Sequence, residues 1–182
     1  MARKLDTRLD GLVLIEVDPH ADERGFLVES FRSDAWRELG VECEFVQENH
    51  SRSSGGILRG VHFQTDPGQA KLVRCARGEV WDVAVDLRRD SPTYGQWEGH
   101  ELSDANHRQL LVPVGFGHGF CVISDQADVI YKLSSYYDPA TERGFRWDDP
   151  EVGIEWPVAN PAVSERDRSA PPLAEVADSL PW

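Results

Sequence analysis

A chain of 182 residues, 40% apolar and 9% aromatic, is long enough to bury one globular core without disulfides or a structural metal. Its 19 Lys and Arg against 32 Asp and Glu give a formal charge of −13, which disfavours nucleic acid and anionic membrane surfaces as partners. The same balance leaves room for a small anionic substrate, because a few Arg and Lys gathered in a cleft override the global sign there.

The first ten residues carry basic side chains with no apolar stretch behind them, so no secretory leader is expected. No run approaches the roughly 18 apolar residues of a membrane span. Cys43, Cys75 and Cys121 are odd in number and lack a C-x-x-C spacing, which argues against a disulfide scaffold or a thiolate zinc site and predicts free thiols in a reducing cytoplasm. From there the chain reads as short runs rich in Val, Ile, Phe, Tyr and Trp, separated by Gly, Pro, Asp, Asn and Ser. Strands are predicted at 12–17, 25–31, 43–49, 57–64, 71–76, 79–87, 97–102, 109–112, 119–123 and 128–137. One helix is predicted at 34–39, capped by Ser33 and ended by Gly40. Within 79–87, Trp81, Val83, Val85 and Leu87 share one parity and Asp82 and Asp86 the other, the pattern of a half-buried strand. Residues 161–182 are rich in Pro and acid and read as a tail wrapped onto a single domain spanning 1–182. So many short strands with so little helix predict an all-β jelly roll with short flanking helices, whose two sheets enclose a cavity suited to a small molecule.

The densest polar segment is Phe45–Gln64, and in its second half Leu58, Gly60, His62 and Gln64 share a strand face, with Ile57, Arg59, Val61 and Phe63 on the other. A His in such a strand is more often a satisfied core residue than a catalyst. A second segment, Pro113-Val-Gly-Phe-Gly-His118, surrounds a His with small residues that allow close approach. Together the two resemble the motifs of the cupin superfamily: Gly56, His62 and Gly78 fit the first, and Pro113, Gly115 and His118 the second. Gln64 stands where the first motif has its second His, no Glu lies between His62 and Gly78, and Val122 replaces the Asn of the second motif. Two His alone make a poor divalent-metal site, so the expectation is no metal, no cofactor, and acid–base chemistry on a cupin-type jelly roll.

Leu58-Arg-Gly-Val-His-Phe-Gln64, Lys71-Leu-Val-Arg-Cys75, Gly78–Leu87, Ser91–Trp97, Tyr131-Lys-x-x-x-Tyr-Tyr137 and Trp147–Pro157 resemble, in order, the dTDP-4-dehydrorhamnose 3,5-epimerase family, from about Leu12 to Asp167. The resemblance implies epimerisation of dTDP-4-dehydro-6-deoxy-D-glucose at C3 and C5, the carbons flanking its C4 ketone, whose hydrogens the carbonyl acidifies. It implies His62 as base, Asp167 as the carboxylate that orients it, Tyr131 as acid on the opposite face, and Lys71 as the cation beside the enolate oxygen. It also implies substrate contacts from Arg24, Phe26, Glu29, Gln47, Asn49, Arg59, His118, Tyr136, Glu142 and Arg166, some of them donated across a homodimer. Simple alternation sets Arg59 opposite His62, a conflict that a bulge at Gly60 or a phosphate held at the strand edge would resolve. A single-site 3- or 5-epimerase shares these motifs. A metal-dependent cupin lacks support at Gln64, and a non-catalytic sugar-nucleotide binder has no need of His62, Asp167 and Tyr131 together.

Overall fold

The computed structural model describes residues 2–182. Thirteen strands are ordered along the described residues: β1 (Ala2–Leu5), β2 (Val13–Val17), β3 (His20–Asp22), β4 (Gly25–Leu27), β5 (Gln47–Ser54), β6 (Leu58–Gln64), β7 (Lys71–Arg77), β8 (Glu79–Asp86), β9 (Trp97–Ser103), β10 (Arg108–Val112), β11 (Phe116–Val122), β12 (Gln126–Leu133) and β13 (Glu142–Gly144). A short helix α1 (Ser33–Glu38) follows β4, and α2 (Glu165–Arg168) and α3 (Leu173–Val176) lie near the C-terminus. The strands form two antiparallel sheets, β1-β2-β10-β7-β12-β5 and β13-β6-β11-β8-β9, with β3-β4 as a separate hairpin. This is the expected all-β jelly roll.

Val73, Val80, Ala84, Leu110, Phe120 and Val129 fill the space between the sheets. Each fully buried aliphatic side chain contributes about 1.5–3 kcal/mol of transfer free energy. Strand β8 departs from the half-buried expectation and is buried on both faces. Val80, Asp82 and Ala84 point into the sandwich, while Val83, Val85 and Leu87 on the outer face pack under Phe145, Leu173 and Leu180. The C-terminal segment therefore supplies core side chains to that outer face, which its Pro and acid content conceals.

Helix α1 begins one residue earlier than predicted. Arg32, at φ −144° and ψ 118°, occupies the capping position without a side-chain cap, and Ser33 is already helical. The first-turn carboxylate of Asp34 accepts the Ala35 N–H instead, at 2.7 Å. Gly40 ends the helix as expected, at φ +104°, where a Cβ would be strained. The predicted strand at 43–49 lies further on, at Gln47–Ser54, because cross-strand pairing with β12, from Leu133↔Gln47 to Gln126↔Ser54, fixes its extent. For the same reason β12 stops at Leu133, and residues 134–141 form a loop.

The Arg59–His62 conflict is resolved by a bulge. His118 pairs with His62 and Phe120 with Arg59, so two steps on β11 match three on β6. Gly60 sits in the bulge at φ +131°, and a Cβ there would lie 2.5 Å from the Gly119 Cα. The extra residue rotates Arg59 onto the His62 side. Beyond β13 the chain returns to β6. Ala162 N–H donates to Gly56 O at 2.8 Å and Leu58 N–H to Ala162 O at 3.0 Å, which brings α2 against the strand that carries His62. Among the described residues, no helix is long and apolar enough to cross a membrane.

Candidate active site

A cavity of about 680 Å³ opens between the sheets, walled by β6 and β11 on one side, β5, β7 and β12 on the other, and the segment leading into α2 at its rim. His62 lies on β6, and its Nε2 is 2.7 Å from Asp167 Oδ1 in α2. The Ser164 hydroxyl caps α2 by accepting the Asp167 N–H at 3.1 Å, so a local capping signal places the carboxylate. The Asp167 side chain is 4% exposed and that of His62 26%. Burial pushes the Asp167 carboxyl up, but the hydrogen bond and charge of His62, with the Ser164 and Gly60 contacts, hold it below the usual carboxylate range. An ionised carboxylate only accepts, so the His62 nitrogen facing it carries the proton and the other nitrogen is left as a base.

Tyr131 stands on β12, in the sheet facing β6, directly across from Asn49. The Asn49 amide donates to the Tyr131 hydroxyl at 3.4 Å, and Gln47 donates to Asn49 Oδ1 at 3.0 Å, which orients the phenol. Lys71 opens β7, with its Nζ donating to the His62 carbonyl at 3.3 Å. Burial pulls the Lys71 pKa down to about 8, a shift that Glu142 and Asp82 oppose, so at neutral pH the ammonium persists. At the mouth, Glu142 Oε2 accepts from the Tyr137 hydroxyl at 2.8 Å and from Arg166 at 2.7 Å. Burial raises the Glu142 pKa, and Arg166 and Tyr137 outweigh it and keep the carboxylate low. Arg59 donates to Ser53 Oγ at 3.1 Å. His118 lines the floor, its Nε2 3.0 Å from both oxygens of the fully buried Asp82.

Ten predicted residues thus share this cavity: His62, Tyr131, Asp167, Lys71, Gln47, Asn49, Arg59, His118, Glu142 and Arg166. Four do not line it. Arg24 sits at the β3–β4 turn paired with Asp22, the Phe26 ring packs 4.9 Å from His107, and Glu29 pairs with Arg32 beside α1. Tyr136 is 72% exposed on the loop after β12, and its neighbour Tyr137 takes the lining position. Sequence reasoning missed Tyr137, Gln69 and Asp82 as members of the site. None of the three carried a sequence signal: Asp82 falls on the polar parity of a strand read as half-buried, and the structure turns that face into the sandwich.

A His–carboxylate pair on one wall, a phenol on the other and an ammonium beside them give this cupin-type jelly roll the groups that acid–base isomerisation requires. The model of the dTDP-4-dehydrorhamnose 3,5-epimerase family matches residues 6–175, and the chain belongs to that family of carbohydrate epimerases. A dTDP-4-dehydrorhamnose 3,5-epimerase of Shigella flexneri is 50% identical over 165 residues, 90% of this chain and 91% of its own. A dTDP-4-dehydrorhamnose 3-epimerase of Streptomyces niveus is 46% identical over 173 residues, 94% of this chain and 84% of its own. The crystal structure of a dTDP-6-deoxy-D-glucose-3,5-epimerase from Legionella pneumophila, in complex with dTDP-4-keto-L-rhamnose, superposes with a TM-score of 0.95 at 44% identity, covering 100% of this chain and 98% of that one.

Proposed function

We propose that this chain is a dTDP-4-dehydrorhamnose 3,5-epimerase. It converts dTDP-4-dehydro-6-deoxy-D-glucose to dTDP-4-dehydro-L-rhamnose by inverting C3 and C5, in dTDP-L-rhamnose or related deoxysugar synthesis, without metal or cofactor. The observation that carries the reading is the His62–Asp167 pair at 2.7 Å facing the same cavity as Tyr131, on opposed sheets.

In this reading the free nitrogen of His62 removes the proton from C3 or C5, giving an enolate and an imidazolium that Asp167 stabilises. The Lys71 ammonium lies against the enolate oxygen and lowers its energy in a water-poor site. Tyr131 then delivers its phenolic proton to the opposite face of the same carbon, which inverts the centre. Tyr131 regains a proton and His62 loses one to solvent, and the cycle repeats at the second carbon. Arg59 and Arg166 hold the diphosphate by charge-assisted hydrogen bonds, with Gln47, Asn49, His118 and Glu142 orienting the sugar and nucleoside.

The active unit is a homodimer in the cytoplasm, each chain a single domain with residues 161–182 wrapped onto it. The hairpin bearing Arg24 and Phe26, followed by Glu29, extends into the partner's site. Leu27, 74% exposed at the end of β4, supports this reading because it leaves an apolar side chain to be covered. The experiment is proton NMR of the keto sugar incubated with purified enzyme. A product inverted at both C3 and C5 supports the assignment, and inversion at one carbon replaces it with the single-site activity of the Streptomyces niveus relative.

A further inference from the structure

Two buried amides in the cavity wall do not take part in the chemistry above. Gln64, two residues beyond His62 on β6, is 3% exposed, and Gln69, before β7, is 8% exposed. Gln64 Oε1 accepts from Gln69 Nε2 at 3.1 Å and from the Asp138 N–H at 3.2 Å. Its Nε2 donates to Tyr136 O and to Thr141 Oγ1, each at 3.4 Å. Gln69 Nε2 also donates to Ser135 O at 3.0 Å. Every atom these side chains bond outside their own pair belongs to the loop 134–141 between β12 and β13.

That loop forms the lip of the cavity. The Tyr137 N–H donates to Gln47 Oε1 at 3.0 Å, and its hydroxyl reaches Glu142, the carboxylate that holds Arg166. The grip needs donors and acceptors on one short side chain. An amide has both, whereas a carboxylate only accepts. A buried network of this kind is rigid when fully satisfied, and costly when one member is lost.

We infer that Gln64, braced by Gln69, is a positioning residue that sets the lip of the substrate pocket by clamping the loop 134–141, so that it governs substrate binding and not proton transfer. The inference rests on the epimerase reading for its substrate, but the clamp itself is read without turnover.

The test compares Gln64→Met with the wild type in three measurements: KM and kcat on the keto sugar, Kd for dTDP alone by calorimetry, and amide hydrogen exchange. The expected result is a KM and Kd raised about ten-fold with kcat within about two-fold, which places the loss in binding. Exchange across 134–141 speeds up while that of β7 is unchanged. Gln69→Met reproduces the same pattern more weakly and serves if Gln64→Met does not fold. Gln64→Glu, which keeps the acceptor and loses the donor, falls between. Unaltered loop exchange, or a kcat that falls at constant KM, overturns the inference. A wild type inert on the keto sugar would instead refute the proposed function, while the exchange measurement would still judge the clamp.

Discussion

Asp167→Asn is the substitution that isolates the dyad. It is nearly isosteric, and the side chain is 4% exposed, so no solvent ion replaces the lost charge. The amide oxygen still accepts from His62, and the ring keeps its place. What disappears is the negative charge 2.7 Å from a ring that, in the proposed mechanism, turns cationic as it takes the sugar's proton. A hydrogen bond to a charged group contributes about 1.5–3 kcal/mol, and each 1.36 kcal/mol is a factor of ten in rate. The expected loss in kcat is therefore about 10- to 150-fold, with KM within about two-fold, because Asp167 bonds His62 and not the substrate. Steady-state kinetics of the keto sugar checks this, alongside unfolding curves to confirm that the variant is folded. A variant with unaltered kcat, or one in which KM alone rises, would refute the role given to the carboxylate.

The buried Lys71 sets an alkaline limit. With its pKa lowered to about 8, the ammonium is present below that pH and lost above it, so log kcat/KM falls by about one per pH unit beyond 8. A limb near 10.5, the ordinary lysine value, would contradict the burial argument. From this group alone, stability rises between pH 8 and 10.5, because there the unfolded chain holds a proton that the folded one has released. Gly60→Ala places a methyl 2.5 Å from the Gly119 Cα at a φ of +131°. It costs about 2–4 kcal/mol by denaturant unfolding, and an unchanged midpoint would show that the bulge tolerates a side chain.

Much of this was legible in the sequence because short β-branched and aromatic runs form the strands and turn residues punctuate them. The central strands at 71–77 and 79–86 fall close to their predicted bounds. Where tertiary pairing decides, the sequence misleads. Residues 50–54 are polar edge strand with no apolar signal, extended only because β12 pairs with them. Strand β8 looks half-exposed because Asp82 and Asp86 mark a polar face, yet that face points into the sandwich, and Leu173 and Leu180, almost a hundred residues away, cover Val83, Val85 and Leu87. The site follows the same division. His62, Lys71 and Tyr131 fall within predicted strands, but their roles came from the family resemblance. Asp167 reads as a solvated charge until the chain returns to β6, and only the family resemblance pointed to it. Arg59 needed the bulge, one of the two resolutions the sequence left open, and the register of β11 against β6 settles it at Gly60. The Gln64 amide was singled out as a missing metal ligand, and its partners, spread over residues 69–141, are a product of the fold.

The central claim is that His62 and Tyr131 face opposite sides of one sugar ring. Wild-type enzyme in heavy water, with the keto sugar followed by proton NMR, tests it most directly. The account predicts deuterium at both C3 and C5, its entry abolished in His62→Ala. In Tyr131→Phe, deuterium still exchanges at these carbons, but product inverted at both is no longer formed. Deuterium entering neither carbon in the wild type, or inversion persisting in His62→Ala, would contradict it.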